Sequence, residues 1–136
     1  MISWDEIDVD YELPSLTKGP ITQLQLIKYA GASGDFNQIH TVPDYAKEAG
    51  LDGTIVHGML VMGILGQMIT SFAGPKMIKK YSAGFKSITR PGDTLIAKGI
   101  VKKKYEKDGE KLVDCRVYVE DSTGDLKVDG KVTIAF

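Results

Sequence analysis

Two periodicities divide this chain. In the C-terminal half, Val113, Cys115, Val117 and Val119 alternate with Asp114, Arg116, Tyr118 and Glu120. Val128, Gly130, Val132, Ile134 and Phe136 likewise alternate with Lys127, Asp129, Lys131 and Thr133. A period of two puts one set of side chains in a core and the other in water, as in half-buried antiparallel strands. The turn-forming runs RPGD (90–93), KDGE (107–110) and STGD (122–125) separate these segments. With further segments near 82–89 and 94–104, four strands are predicted in a meander, with no helix long enough for parallel crossovers.

The N-terminal half predicts helices instead. Thr22 can cap a helix through QLQLIKYAGAS (23–33), with Leu24, Ile27 and Ala30 on its inner side. Pro43 and Gly50 bracket a short second helix over 44–49. A third begins at Gly58, where Met59, Leu60, Val61, Met62, Ile64, Leu65, Met68 and Ile69 leave almost no polar side. A helix apolar all round is a buried helix. Gly58, Gly63 and Gly66 each cost it about 1 kcal/mol relative to alanine, which predicts that another backbone comes close to them. One buried helix followed by strands predicts an α+β fold, a curled antiparallel sheet around a central helix. With no linker or repeat, residues 1–136 read as a single domain.

Composition narrows the function classes. Seventeen basic and 18 acidic side chains leave the chain near neutrality, without the basic field of a nucleic-acid binder. One cysteine, Cys115, excludes an intrachain disulfide and fits a reducing cytosol. One Cys and two His, without CxxC or HExxH spacing, predict no metal site. The longest apolar run (58–69) is shorter than the roughly 20 residues of a membrane span. The acidic start MISWDEIDVD lacks a signal peptide's basic and apolar regions, so a soluble cytoplasmic protein is expected. Cys115 and the methionines read as core or pocket lining. The lysines at 102–104 and Lys76, Lys79 and Lys80 read as solvated surface, with phosphate binding as the second reading.

The candidate chemistry lies in ASGDFNQIHTVPDYA (32–46), which sets Asp35 and His40 five positions apart among turn formers. Five is the spacing of neither one helical face nor one strand face, so only a bend can bring them together. Each residue also has a plainer reading: Asp35 and Asn37 as turn or cap residues, His40 as a satisfied core imidazole, His57 at a helix start. Beside the positive end of a helix dipole, His57 is expected to stay neutral.

Together, SGDFNQIH (33–40) and the later TIVHGMLVMG (54–63) resemble the signature of the MaoC-like hydratase family. That family includes (R)-specific enoyl-CoA hydratases and (3R)-hydroxyacyl-ACP dehydratases and has the hot dog fold. Ser33, Gly34, Asp35, Asn37, Ile39, His40 and Ala46 match its pattern, as do His57, Gly58 and Met59, and FKSITRPGD (85–93) resembles a later strand and turn. Gln38 replaces the usual proline, Val42 a frequent aspartate, and Gly66 a serine found in some relatives.

The resemblance implies reversible addition of water to a trans-2-enoyl thioester, giving a (3R)-3-hydroxyacyl thioester, with no cofactor. Asp35 and His40 would hold the water, Asn37 would fix the turn or orient the water, and the Gly58 N–H would stabilise the thioester oxygen. His57 falls in the same substrate-binding group. Implied partners are an acyl-CoA or acyl-ACP substrate and a second hot dog unit, with at least a homodimer expected. Two alternatives stand beside this: a subunit of a heteromeric dehydratase that needs its partner, and a thioesterase. The thioesterase would need a carboxylate on the buried helix, and none lies between Gly58 and Phe72.

Overall fold

The computed structural model describes residues 2–136; of these, the Lys76 side chain lies outside what is described. Helix α1 (Gln23–Ser33) starts where Thr22 caps it, its hydroxyl accepting from the Gln25 N–H, and ends at Gly34 with φ 77°, a left-handed stop suited to glycine. A 3₁₀ turn (Gln38–His40) leads into α2 (Pro43–Glu48), with proline in its first turn. Helix α3 (Gly58–Ala73) follows. Five strands, β1 (Glu12–Lys18), β2 (Ile78–Phe85), β3 (Leu95–Lys107), β4 (Glu110–Asp121) and β5 (Leu126–Ala135), form one antiparallel sheet in the order β1-β3-β4-β5-β2.

The sheet wraps α3, which touches all five strands. Leu65, Met68 and Ile69 of α3 pack on Leu95, Ala97, Val101, Val113, Val117 and Ile134 to make one core. This is the α+β architecture expected from the alternating strands and the greasy helix, the hot dog fold.

Four expectations need correction. The strands are not a simple meander: β3, β4 and β5 are, but β2 pairs with β5 at the far edge (Ser82↔Lys131, Gly84↔Asp129). Nine residues separate β2 from β3, enough to cross the end of the sheet, whereas proximity in sequence had suggested a hairpin. Strand β1 went unforeseen, because an edge strand holding Pro14, a register shift and one buried residue, Leu13, carries no alternation. The buried pair of α1 is Leu26 and Ala30, while Leu24 and Ile27 are 58% and 52% exposed. Helix α3 is not buried all round either: Met59 is 58% exposed, and Gly63, Gln67 and Ser71 continue that open side at helical spacing.

The glycines also differ from expectation. A Cβ at Gly58 would meet the Phe85 ring and one at Gly66 the Tyr81 ring, while Gly63 faces open space. Side chains, not a second backbone, use the room. Lys102, Lys103 and Lys80 are exposed as expected, but Lys104 is tied down, donating to the Ile7 carbonyl at 2.7 Å with its ammonium 4.1 Å from the Trp4 ring.

Candidate active site

The bend after α1 is built from short side chains bonding nearby backbone. The Asp35 N–H donates to Ser33 Oγ at 3.1 Å, the Asn37 N–H to Asp35 Oδ1 at 3.2 Å and the Ile39 N–H to Asn37 Oδ1 at 3.2 Å. These side-chain caps replace helix bonds and turn the chain back within five residues. Asp35 and Asn37 therefore do make the turn contacts of their plainer reading. The same turn brings the other Asp35 oxygen, Oδ2, to 3.7 Å from His40 Nε2. That is too long for a direct hydrogen bond and short enough for one water to touch both groups.

Further contacts fix His40 and the segment around it. Its ring is buried, and Nδ1 donates to the Ile55 carbonyl at 2.8 Å. A carbonyl only accepts, so the proton of the neutral ring sits on Nδ1 and the lone pair of Nε2 faces Asp35. The backbone of the segment is pinned from both sides, Ile55 N–H to Ile39 O at 3.1 Å and Val56 N–H to Thr89 O at 2.8 Å. From α1, Gln23 Nε2 donates to the His40 carbonyl at 2.8 Å, and Thr54 Oγ1 donates to Gln23 Oε1.

His57, the residue before α3, lies beneath this pair and is 1% exposed. Its Nε2 donates to the Asp35 backbone carbonyl at 3.3 Å, and Nδ1 is buried without a protein partner. The ring stacks on His40 with centroids 3.7 Å apart, and Tyr29 of α1 meets it edge-on at 4.7 Å. Burial first, and then the neighbouring His40, push the His57 pKa below its usual value. It is a neutral platform, the protonation state expected from its place at a helix start.

Asp35, His40 and His57 each offer one ligand atom within a 4.8 Å cluster. A metal lies in the plane of each imidazole it binds. Rings stacked 20° from parallel cannot aim their lone pairs at one ion, so the geometry does not suit a shared metal.

Gly58 opens α3 directly after His57, so its N–H, with no acceptor in the helix, sits at the positive end of the dipole. Phe85 at the end of β2 covers it, with ring carbons 3.1–3.4 Å from where a Cβ would stand. The five candidates Asp35, Asn37, His40, His57 and Gly58 thus come from the α1–α2 bend and the start of α3. Sequence reasoning missed Gln23, Tyr29, Thr54 and Ile55. Their work is done by an amide, a ring edge, a hydroxyl and a backbone carbonyl at separations of up to 31 residues, which no local pattern marks.

A separate depression of about 690 Å³ lies on the outer face of the sheet, lined by Lys80, Lys102, Lys103, Arg116 and Lys131 among others. It contains none of the residues above. Arg116 is already paired with Asp129 at 3.0 Å. No helix among the described residues is long and apolar enough to cross a membrane.

Comparison with known proteins identifies the family. Residues 10–123 match the family model described as "MaoC like domain". A fatty acid synthase beta subunit from Emericella nidulans is 38% identical over 73 residues, 51% of this chain and 4% of that protein. The peroxisomal enoyl-CoA hydratase 2 of Arabidopsis thaliana is 36% identical over 67 residues, 47% of this chain and 22% of that protein. The chain therefore spans less than a quarter of the length of either relative. The unliganded R-hydratase PhaJ1 from Pseudomonas aeruginosa superposes with a TM-score of 0.84 at 26% identity, covering 96% of this chain and 83% of that one.

Proposed function

Since the chain belongs to the MaoC-like domain family, we propose that it is an (R)-specific hydratase acting on trans-2-enoyl thioesters, and in reverse a dehydratase of (3R)-3-hydroxyacyl thioesters. The observation that carries this reading is the 3.7 Å approach of Asp35 Oδ2 to His40 Nε2, with the lone pair of Nε2 turned toward the carboxylate. A water held between them loses a proton to one of the pair and adds to the β-carbon, and the α-carbon gains a proton. The two groups act as one coupled acid–base unit. Charge that develops on the thioester oxygen is met by the Gly58 N–H at the positive end of the α3 dipole. Asn37 keeps the turn closed, and His57 holds the His40 ring and the Asp35 backbone.

The reading extends to assembly. Residues 1–136 act as one hot dog domain that pairs with a second copy. Leu24, Ile27, Met59 and Phe85 lie exposed on elements that build the site, and β1 and β2 are free edges of the sheet. Joining two sheets edge to edge would pair one of these edges in each copy.

The test is hydration of trans-2-butenoyl-CoA, followed by loss of enoyl thioester absorbance and chiral analysis of the product. Asp35→Asn and His40→Gln should each lower kcat by a factor of ~10²–10⁴. Full activity in either variant, or an (S)-product, overturns the proposal.

A further inference from the structure

Helix α1 reaches His40 from both of its ends. Gln23 is its first residue, and Asp35 lies two residues past its last, Ser33. At the far end Asp35 Oδ2 faces His40 Nε2 at 3.7 Å. At the near end the half-buried Gln23 amide donates to the His40 carbonyl at 2.8 Å, and among the described residues that carbonyl has no other hydrogen-bond partner. Between the two contacts stand the 11 residues of the helix, a strut of ~16 Å. Its base is anchored too. Ile21 exchanges backbone bonds with the turn before β3, its N–H donating to the Asp93 carbonyl at 2.9 Å and its own carbonyl accepting from the Gly92 N–H at 2.7 Å.

The Gln23 amide can point only one way. A backbone carbonyl only accepts, so Nε2 must face His40, and Oε1 is then turned to Thr54. Thr54 is buried, and its hydroxyl donates to that oxygen at 2.5 Å. The next residue, Ile55, holds the Ile39 carbonyl through its N–H at 3.1 Å and His40 Nδ1 through its carbonyl at 2.8 Å. Two consecutive residues before α3 therefore fix His40, and a single side-chain amide joins that arrangement to α1.

Resting on the proposed hydratase reading, we infer that Gln23 is a positioning residue for the reaction: its amide, oriented by the Thr54 hydroxyl, ties the His40 backbone to α1 and so sets the gap across which Nε2 and Asp35 share a water. Gln23 acts through His40, from the side of the residue opposite the ring. Without the amide, the His40 carbonyl loses its donor, and only Ile55 and the stacked His57 ring hold the imidazole. A displacement of ~1 Å at reacting groups can cost ~10²-fold in rate.

The experiment measures kcat and KM for trans-2-butenoyl-CoA in the wild-type chain, Gln23→Met, Gln23→Glu, Thr54→Val and Thr54→Ser, each first shown to fold by circular dichroism. Methionine keeps the length and removes both bonds. Glutamate keeps the shape but at neutral pH has no proton for the carbonyl, while its charge suits the first turn of α1, so folding is retained. Both Gln23 variants should lower kcat at least tenfold and leave KM within threefold, since Gly58 is untouched. Thr54→Val should also lower kcat, and Thr54→Ser, which keeps the hydroxyl, should stay within threefold of the wild type. An unchanged kcat in whichever Gln23 variant folds, a rise in KM that matches the fall in kcat, or equal losses in Thr54→Val and Thr54→Ser overturns the inference. If the wild type hydrates no butenoyl thioester, the functional reading fails on its own, and nitrogen-15 NMR of the two imidazoles decides the positioning separately. The His40 ring should be protonated on Nδ1 in the wild type and shift toward a mixture of tautomers in Gln23→Met; His40 signals that do not change between the two overturn the inference.

Discussion

His57 stacks face to face on His40, with ring centroids 3.7 Å apart and planes 20° from parallel, while its Nε2 donates to the backbone carbonyl of Asp35 at 3.3 Å. One buried ring thus touches both members of the proposed acid–base pair without standing between them.

Replacing His57 by alanine leaves a void under His40 and frees the Asp35 carbonyl. We expect kcat to fall at least tenfold with a much smaller change in KM, because the pair is loosened while Gly58 stays in place. Steady-state kinetics on the butenoyl thioester reads both constants.

The depressed pKa of His57 also sets an acid limit on stability. The unfolded chain titrates this imidazole near its ordinary value of 6.5, and the folded chain only below it. Between those two values the unfolded state binds more protons, so stability is full above pH 6.5 and falls as pH drops toward the folded pKa. Thermal melts from pH 7.5 to 5.5 should show a decline that His57→Phe reduces.

Gly58→Ala separates catalysis from stability. The new Cβ would stand 3.1 Å from a Phe85 ring carbon, and Phe85 is exposed enough to yield. Alanine gains up to ~1 kcal/mol of helix propensity, so the melting temperature should hold or rise. Activity should drop at least tenfold as the methyl group crowds the N–H proposed to receive the thioester oxygen.

Lys127 is 4% exposed and donates to the Ile88 carbonyl and to Asp125, each at 2.8 Å, with Asp121 and Asp93 at 3.5 and 3.8 Å. Burial works against its charge, yet these carboxylates hold its pKa above the ordinary value. Through Ile88 it anchors the loop whose Thr89 carbonyl accepts from Val56, one residue from both Ile55 and His57. Lys127→Met should destabilise by roughly 1–3 kcal/mol, since the Ile88 carbonyl loses its donor while Asp125, 53% exposed, can turn to water. Urea denaturation measures it, and activity should fall in the variant under folded conditions.

Gly130 sits on β5, between Val117 of β4 and Ala83 of β2. A Cβ there would run into Ser82 O and lie 3.0 Å from Ala83 Cα, both on neighbouring strand β2. Backbone cannot step aside as a side-chain tip can, so Gly130→Ala should cost about 1–3 kcal/mol in the same denaturation experiment.

Much of this molecule was legible in the linear pattern. Alternation located β4 and β5, Thr22 started α1, and Gly58 opened α3. The resemblance picked out Asp35, His40, His57 and Gly58, all of which lie at the α1–α2 bend or the start of α3. These are local signals, since caps, turns and side-chain period are decided by residues a few positions apart. Which strand lies beside β2, which side of α1 is covered and what fills the space at Gly66 were decided only by the tertiary structure. Each depends on which surfaces meet across tens of residues, and burial on one face looks the same in sequence whatever covers it. The tautomer of His40 belongs with these: it is set by the Ile55 carbonyl fifteen residues away, a backbone group that every residue type carries.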